Sequence, residues 1–174
     1  LKVDVLTFAK YLKDHLPEIL RRGIKKEQYE SLLAQIVRSK NELDEAGAFE
    51  TLSRQPFVRT RAGNYARPSD CYFWSANLEA VLGTAPGRWV FEDWMPSGKA
   101  GATLRDVLEA RLGMRVTAAA HHVVARLQEL ARSGTPEELD KSATPVVRHL
   151  VERWDRFSKD DRAELGKLRA VMTR

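Results

Sequence analysis

Apolar residues recur at spacings of three and four from the start of the chain, at Val5, Phe8, Ala9, Leu12 and Leu16. That spacing predicts a helix over residues 2–16 with one buried stripe. Pro17 can end or kink it, Ile19 and Leu20 continue the face, and Gly23 closes the segment. Tyr29, Leu32, Leu33, Ile36, Val37 and Leu43 predict a second helix over residues 26–46, stopped by Gly47. Together the two read as an antiparallel helical hairpin within residues 1–55.

The period changes at Pro56. Phe57-Val58-Arg59-Thr60 reads as a strand, Arg61-Ala62-Gly63-Asn64 as a turn and Tyr65-Ala66-Arg67 as the returning strand. Beyond Pro68-Ser69-Asp70 the pattern is irregular and bulky. A short helix over residues 77–82 closes at Gly83, Trp89-Val90-Phe91 is a candidate strand beside the hairpin, and residues 96–101 read as a loop. This gives a second segment, 56–101. Helical periodicity returns for residues 102–174. A helix capped by Thr103 runs to Leu112, and another covers residues 117–132. Thr135-Pro136-Glu137-Glu138 starts a third, which has to accommodate Pro145 and then presents Val147, Leu150, Val151, Trp154 and Phe157. A last helix is predicted from Ser158 to Met172. The expected fold is mainly α with a small β-hairpin or sheet (α+β): helical hairpin, β element, C-terminal helical bundle.

The chain has 174 residues, 43% apolar and 30% charged, which suits a packed globular structure. One cysteine, Cys71, permits no internal disulfide and no cysteine-rich zinc site, and points to a reducing compartment such as the cytoplasm. No apolar run approaches the ~20 residues of a membrane span. The first residue is Leu1, and the last follows an apolar periodic stretch, so a segment of a longer protein is expected. The net charge of +5 is mild and mostly interleaved in sign. The exception lies between Glu50 and Asp70, where Arg54, Arg59, Arg61 and Arg67 occur with no acid.

Candidate chemistry is sparse. His121 and His122 are adjacent, so on a helix they diverge by roughly 100° and cannot form the paired ligands of a helical metal site. Pro96-Ser97-Gly98-Lys99-Ala100 lacks both the leading glycine and the hydroxyl of a phosphate-binding loop. Cys71 has no histidine motif near it and aromatic neighbours that suggest burial. Glu92 and Asp93 beside Trp94 resemble a carboxylate pair flanked by aromatics, but read better as part of a Trp-rich junction. The expectation is therefore no catalytic residue, cofactor or metal. The candidate interaction surface is Arg54, Arg59, Arg61, Tyr65 and Arg67. It can take a protein partner or another domain of the same chain. Nucleic acid is the alternative, with arginines on phosphates and Tyr65 stacked on a base.

The run from Pro56 to Asp70, with Arg59-Thr60, Gly63 and Arg67-Pro68-Ser69-Asp70, resembles the hairpin element of sacsin-type repeat regions. The resemblance extends through Leu112-Gly113-Met114, the helix bearing His121 and Gly134-Thr135-Pro136-Glu137. In such proteins an ATPase module of the gyrase, heat-shock and histidine-kinase class precedes these regions. Its nucleotide-binding motifs do not occur in this chain. The resemblance thus implies a non-catalytic scaffold or coupling region of a large chaperone-like or defence-type protein.

Overall fold

The computed structural model describes residues 7–133, 136–157, 159–160, 162–163 and 165–166. It is mainly helical with one small antiparallel sheet, the α+β class expected. Helix α1 (Phe8–Arg22) begins where the Thr7 hydroxyl accepts the Lys10 amide at 3.2 Å, and it continues through Pro17. Leu12, Leu16 and Leu20 are its buried stripe.

The helix expected over 26–46 is two helices, α2 (Lys26–Arg38) and α3 (Lys40–Glu45). Ser39 breaks it, with its hydroxyl accepting the Gln35 side-chain amide at 3.0 Å. A short polar side chain that finds a local partner competes with the helix ladder, and the bend lets Leu43 reach full burial. Gly47, at φ 62°, then turns the chain into α4 (Ala48–Ser53), a helix not foreseen, which buries Phe49 and Leu52. The first two helices are not primarily each other's partners, as a hairpin requires. Helix α1 packs on α3 and α4, whereas α2 packs chiefly along α6 (Gly98–Ala110).

Strands β1 (Val58–Arg59) and β2 (Tyr65–Ala66) pair antiparallel with Val58 opposite Ala66 and Arg59 opposite Tyr65. Val90 bridges to Thr60, and Trp89 to Tyr72, so the 89–91 segment lies beside the hairpin as its sequence suggested. The expected loop at 96–101 is a correction: α6 already starts at Gly98, and Thr103 lies inside it, donating to the Lys99 carbonyl at 3.0 Å. Pro96 and two glycines read as loop chemistry, but Gly101 is there because the Pro96 carbonyl fills the space a Cβ would take.

The described residues form two compact units, and packing crosses the segment boundaries expected at 55 and 101. The first unit comprises the residues up to Phe73 with Pro86–Val116. Its core joins Leu16, Tyr29, Leu33, Ile36, Phe57 and Leu108, among others. The second comprises Trp74–Ala85 with the residues from Thr117 onward. In it α5 (Ala76–Leu82), capped by the Ser75 hydroxyl, packs on α7 (Ala120–Ser133) and α8 (Pro136–Arg153). Helix α8 runs through Pro145 without ending. The predicted start at Thr135 and most of the predicted last helix lie outside the described residues, although Leu165 is buried with Ala120, Val124 and Phe157. Among the described residues no helix is long and apolar enough to cross a membrane.

Candidate interaction surface

Two-residue strands are too short to hold a hairpin together alone; the 89–91 segment adds backbone bonds, with the Phe91 amide on the Arg59 carbonyl at 2.9 Å, and side chains add the rest. Tyr29, fully buried on α2, donates its hydroxyl proton to the Phe57 carbonyl at 2.9 Å and accepts the Arg59 amide at 3.0 Å. Burial pushes the phenol well above its ordinary range, the backbone bond from Arg59 opposing in part. At the turn, the Thr60 amide bonds the Asn64 carbonyl and the Gly63 amide bonds the Thr60 carbonyl, both at 2.9 Å. The Thr60 hydroxyl also meets Asn64 Oδ1. Gly63 takes φ 83°, which the turn requires and which glycine adopts without strain.

The other face of the strand pair is aromatic. The Arg59 guanidinium lies 4.2 Å from the Trp94 ring centroid and 5.3 Å from that of Tyr65. Tyr29 closes the box, 5.9 Å from Tyr65 and 6.1 Å from Trp94, and Phe91 adjoins Trp94 at 6.2 Å. A guanidinium stacked this way contributes about 0.5–2 kcal/mol per aromatic face, depending on desolvation. Arg59 Nε and the Tyr65 hydroxyl have no hydrogen-bond partner among the described residues, so stacking is the main hold on both side chains.

The five predicted surface residues therefore separate. Arg59 and Tyr65 are brought together, but half-buried and facing each other. Arg61 is exposed beyond β1 and its amide bonds the Trp89 carbonyl at 2.9 Å. Arg67 is exposed just after β2 and leads into a short 3₁₀ turn over Pro68–Asp70. Arg54 sits apart at the end of α4, paired with Glu50 at 2.7 Å. Beside the outer edge of Tyr65 lies a depression of about 220 Å³ lined by Pro17, Leu20, Arg21, Gln55 and Pro56. Sequence reasoning missed Tyr29, which looked like any stripe residue 30 positions before Arg59. Trp94 was read as part of a Trp-rich junction, and it does lie between α2 and the hairpin, against Tyr29 and Arg59.

The remaining candidates resolve as follows. Glu92 pairs with Arg105 at 3.1 Å, and that guanidinium covers Phe73 at 3.8 Å, so Glu92 and Asp93 do not form a facing pair. Cys71 is fully buried, and burial together with the Asp70 charge pushes its thiol up to about 12. The His121 and His122 rings, in the first turn of α7, lie 4.1 Å apart rather than diverging. His149 faces Phe157 at 6.4 Å; burial, then the Arg153 charge, lowers its pKa. Among the described residues no three metal-binding side chains converge.

No protein-family model, curated protein or solved structure matches this chain.

Proposed function

We propose that this chain is an interaction module of a larger, sacsin-like protein. It docks a protein partner, or a neighbouring domain such as an ATPase module, on the hairpin face. The observation that carries the reading is the fixing of the hairpin: Tyr29 ties its backbone to α2, and Trp94 and Tyr65 hold Arg59 between them. A surface ordered beforehand loses less entropy on binding than a loop that must first be ordered. The partner this face suits is a segment carrying one apolar side chain flanked by carboxylates. The apolar group would enter the depression beside Tyr65, and the carboxylates would meet the exposed basic side chains of Arg61 and Arg67. An apolar anchor with a charged rim is a common division of labour at protein interfaces. Stacking a nucleic-acid base is less well served, because Tyr65 already faces Arg59.

A photo-crosslinking residue in place of exposed Ala62, in the intact protein, tests this. Adducts should map to an acid-bearing protein segment and disappear in the Arg61→Glu, Arg67→Glu double variant. Absence of adducts, or adducts indifferent to charge reversal, overturns the proposal. So does retardation of a DNA or RNA oligonucleotide that weakens steeply with salt, since that outcome makes nucleic acid the ligand.

A further inference from the structure

The hairpin leaves its small sheet with an unpaired edge. On one side β1 is already occupied, since the Phe91 amide bonds the Arg59 carbonyl and the Arg61 amide bonds the Trp89 carbonyl, both at 2.9 Å. On its other side lies β2, and no strand pairs beyond β2 among the described residues. The turn fixes which groups β2 directs outward. The Thr60 amide bonds the Asn64 carbonyl, so these two residues are a hydrogen-bonded pair. Bonded and non-bonded pairs alternate along an antiparallel ladder. Arg59 and Tyr65, the next pair, are therefore non-bonded. The backbone groups of Arg59 agree: both point away from β2, one to the Tyr29 hydroxyl and one to the Phe91 amide. The Tyr65 amide and carbonyl thus face the outer edge, and neither has a hydrogen bond among the described residues.

Two features beside that edge define the strand it suits. A residue opposite Tyr65 in an added strand carries its side chain on the Tyr65 face, where Pro17, Leu20 and Pro56 line the depression. Positions two apart share a face. Arg67 is exposed, continues β2 in extended backbone at φ −69° and ψ 148°, and makes no ion pair among the described residues. In an antiparallel strand, the more stable pairing per residue, the residue opposite Arg67 stands two positions before the one opposite Tyr65. We propose that the edge of β2 takes an extended partner segment as an added antiparallel strand, with an apolar residue opposite Tyr65 and a carboxylate two positions before it, opposite Arg67. This rests on the reading of the hairpin face as a docking surface, and adds to it the backbone mode and the order of the side chains. In such additions main-chain bonds give affinity and alternate side chains give specificity. A second copy of this edge is a poor occupant, since its own Asn64 to Arg67 carries an arginine and no acid. Pro68 has no N–H to continue the pairing, so the segment engaged is short.

A short β-prone peptide, acetyl-Thr-Val-Glu-Thr-Leu-Thr-amide, titrated into the intact protein tests the backbone apart from the side chains. N-methylation at its leucine, whose N–H would bond the Tyr65 carbonyl, should weaken binding at least about tenfold. N-methylation at the threonine before it, whose N–H points away from β2, should change little. The peptide with leucine and glutamate exchanged should bind about tenfold more weakly, because the carboxylate then leaves Arg67. On the protein side, Arg67→Ala removes the charge, whereas Arg67→Pro removes the charge and an edge N–H at a φ that proline adopts. Arg67→Pro should bind about three- to tenfold more weakly than Arg67→Ala, with circular dichroism melts like the parent's establishing that both fold. Equal effects of methylation at the two positions, equal binding by the two Arg67 variants, or no binding of the parent peptide would each overturn the added strand. So would a homodimer in sedimentation that the peptide does not dissociate, since the occupant would then be a second copy. If the methylated peptides do not differ while cross-links from Ala62 still depend on charge, strand addition falls and the docking face stands. Loss of both removes the face itself.

Discussion

Tyr29 is the residue on which the hairpin's position depends most. Its hydroxyl serves two backbone groups at once, Phe57 O and Arg59 N, and both would be left without that partner in Tyr29→Phe. Burying unpaired groups costs roughly 1–3 kcal/mol, so urea unfolding of Tyr29→Phe should show a loss of that size with an unchanged m-value. A loss below about 0.5 kcal/mol would show that the anchor is dispensable. Cys71 supplies a second test at this scale. Its folded thiol titrates near 12 against an ordinary value of 9.0. The folded state therefore keeps a proton that the unfolded state releases, and stability present below pH 9 is lost as pH rises toward 12. The slope is at most about 1.4 kcal/mol per pH unit for one group. Tyr29, raised likewise, adds its own loss above pH 10. Urea midpoints at pH 8, 9 and 10 should fall for the parent and fall less for Cys71→Ala. Parallel curves for the two would remove the buried thiol as a cause. Arg59 and Tyr65 were legible from the hairpin sequence because register follows from turn length. Tyr29 and Trp94 were not, because periodicity tells which side of an element is buried and not what it meets.

At the scale of elements, helix interiors were readable, as were the closing of α1 at Gly23, the start of α2 at Lys26 and the closing of α5 at Gly83, whereas the start of α6 was not. The stripes of α1, α2 and α7 follow the 3.6-residue period, and their buried residues are the ones the spacing selected. The start of α6 was missed because Thr103 resembles a cap and Pro96-Ser97-Gly98 resembles a loop. Gly101 decides between the two readings by experiment. If residues 96–101 were loop, or a helix free of neighbours, Gly101→Ala would be neutral or would stabilise by up to about 1 kcal/mol through helix propensity. In this fold the added Cβ would lie 2.2 Å from the Pro96 carbonyl oxygen, which belongs to the backbone and cannot swing aside. The expected sign is therefore destabilising, by roughly 1–3 kcal/mol, measured by urea unfolding. A stabilised Gly101→Ala would refute the tight turn that opens α6.

At the scale of the whole molecule, the segment Trp74–Ala85 belongs by packing with the residues beyond Thr117, although the chain on both sides of it belongs to the first unit. Nothing in its seven-residue helix announces that allegiance, since a short apolar stripe can seat against any neighbour. Cooperative unfolding tends to follow packed groups and not chain order, which turns the grouping into a prediction. Backbone amides of α5 should exchange with solvent in step with those of α7 and α8, not with those of β1 and the 89–91 segment. Val124→Ala, within the cluster of Ala120, Phe157 and Leu165, removes buried methyls at a cost of roughly 1–3 kcal/mol. It should speed exchange across α5, α7 and α8 together and leave protection of α2 and the Tyr29-anchored hairpin nearly unchanged. Exchange of α5 in step with its flanking segments would refute the division.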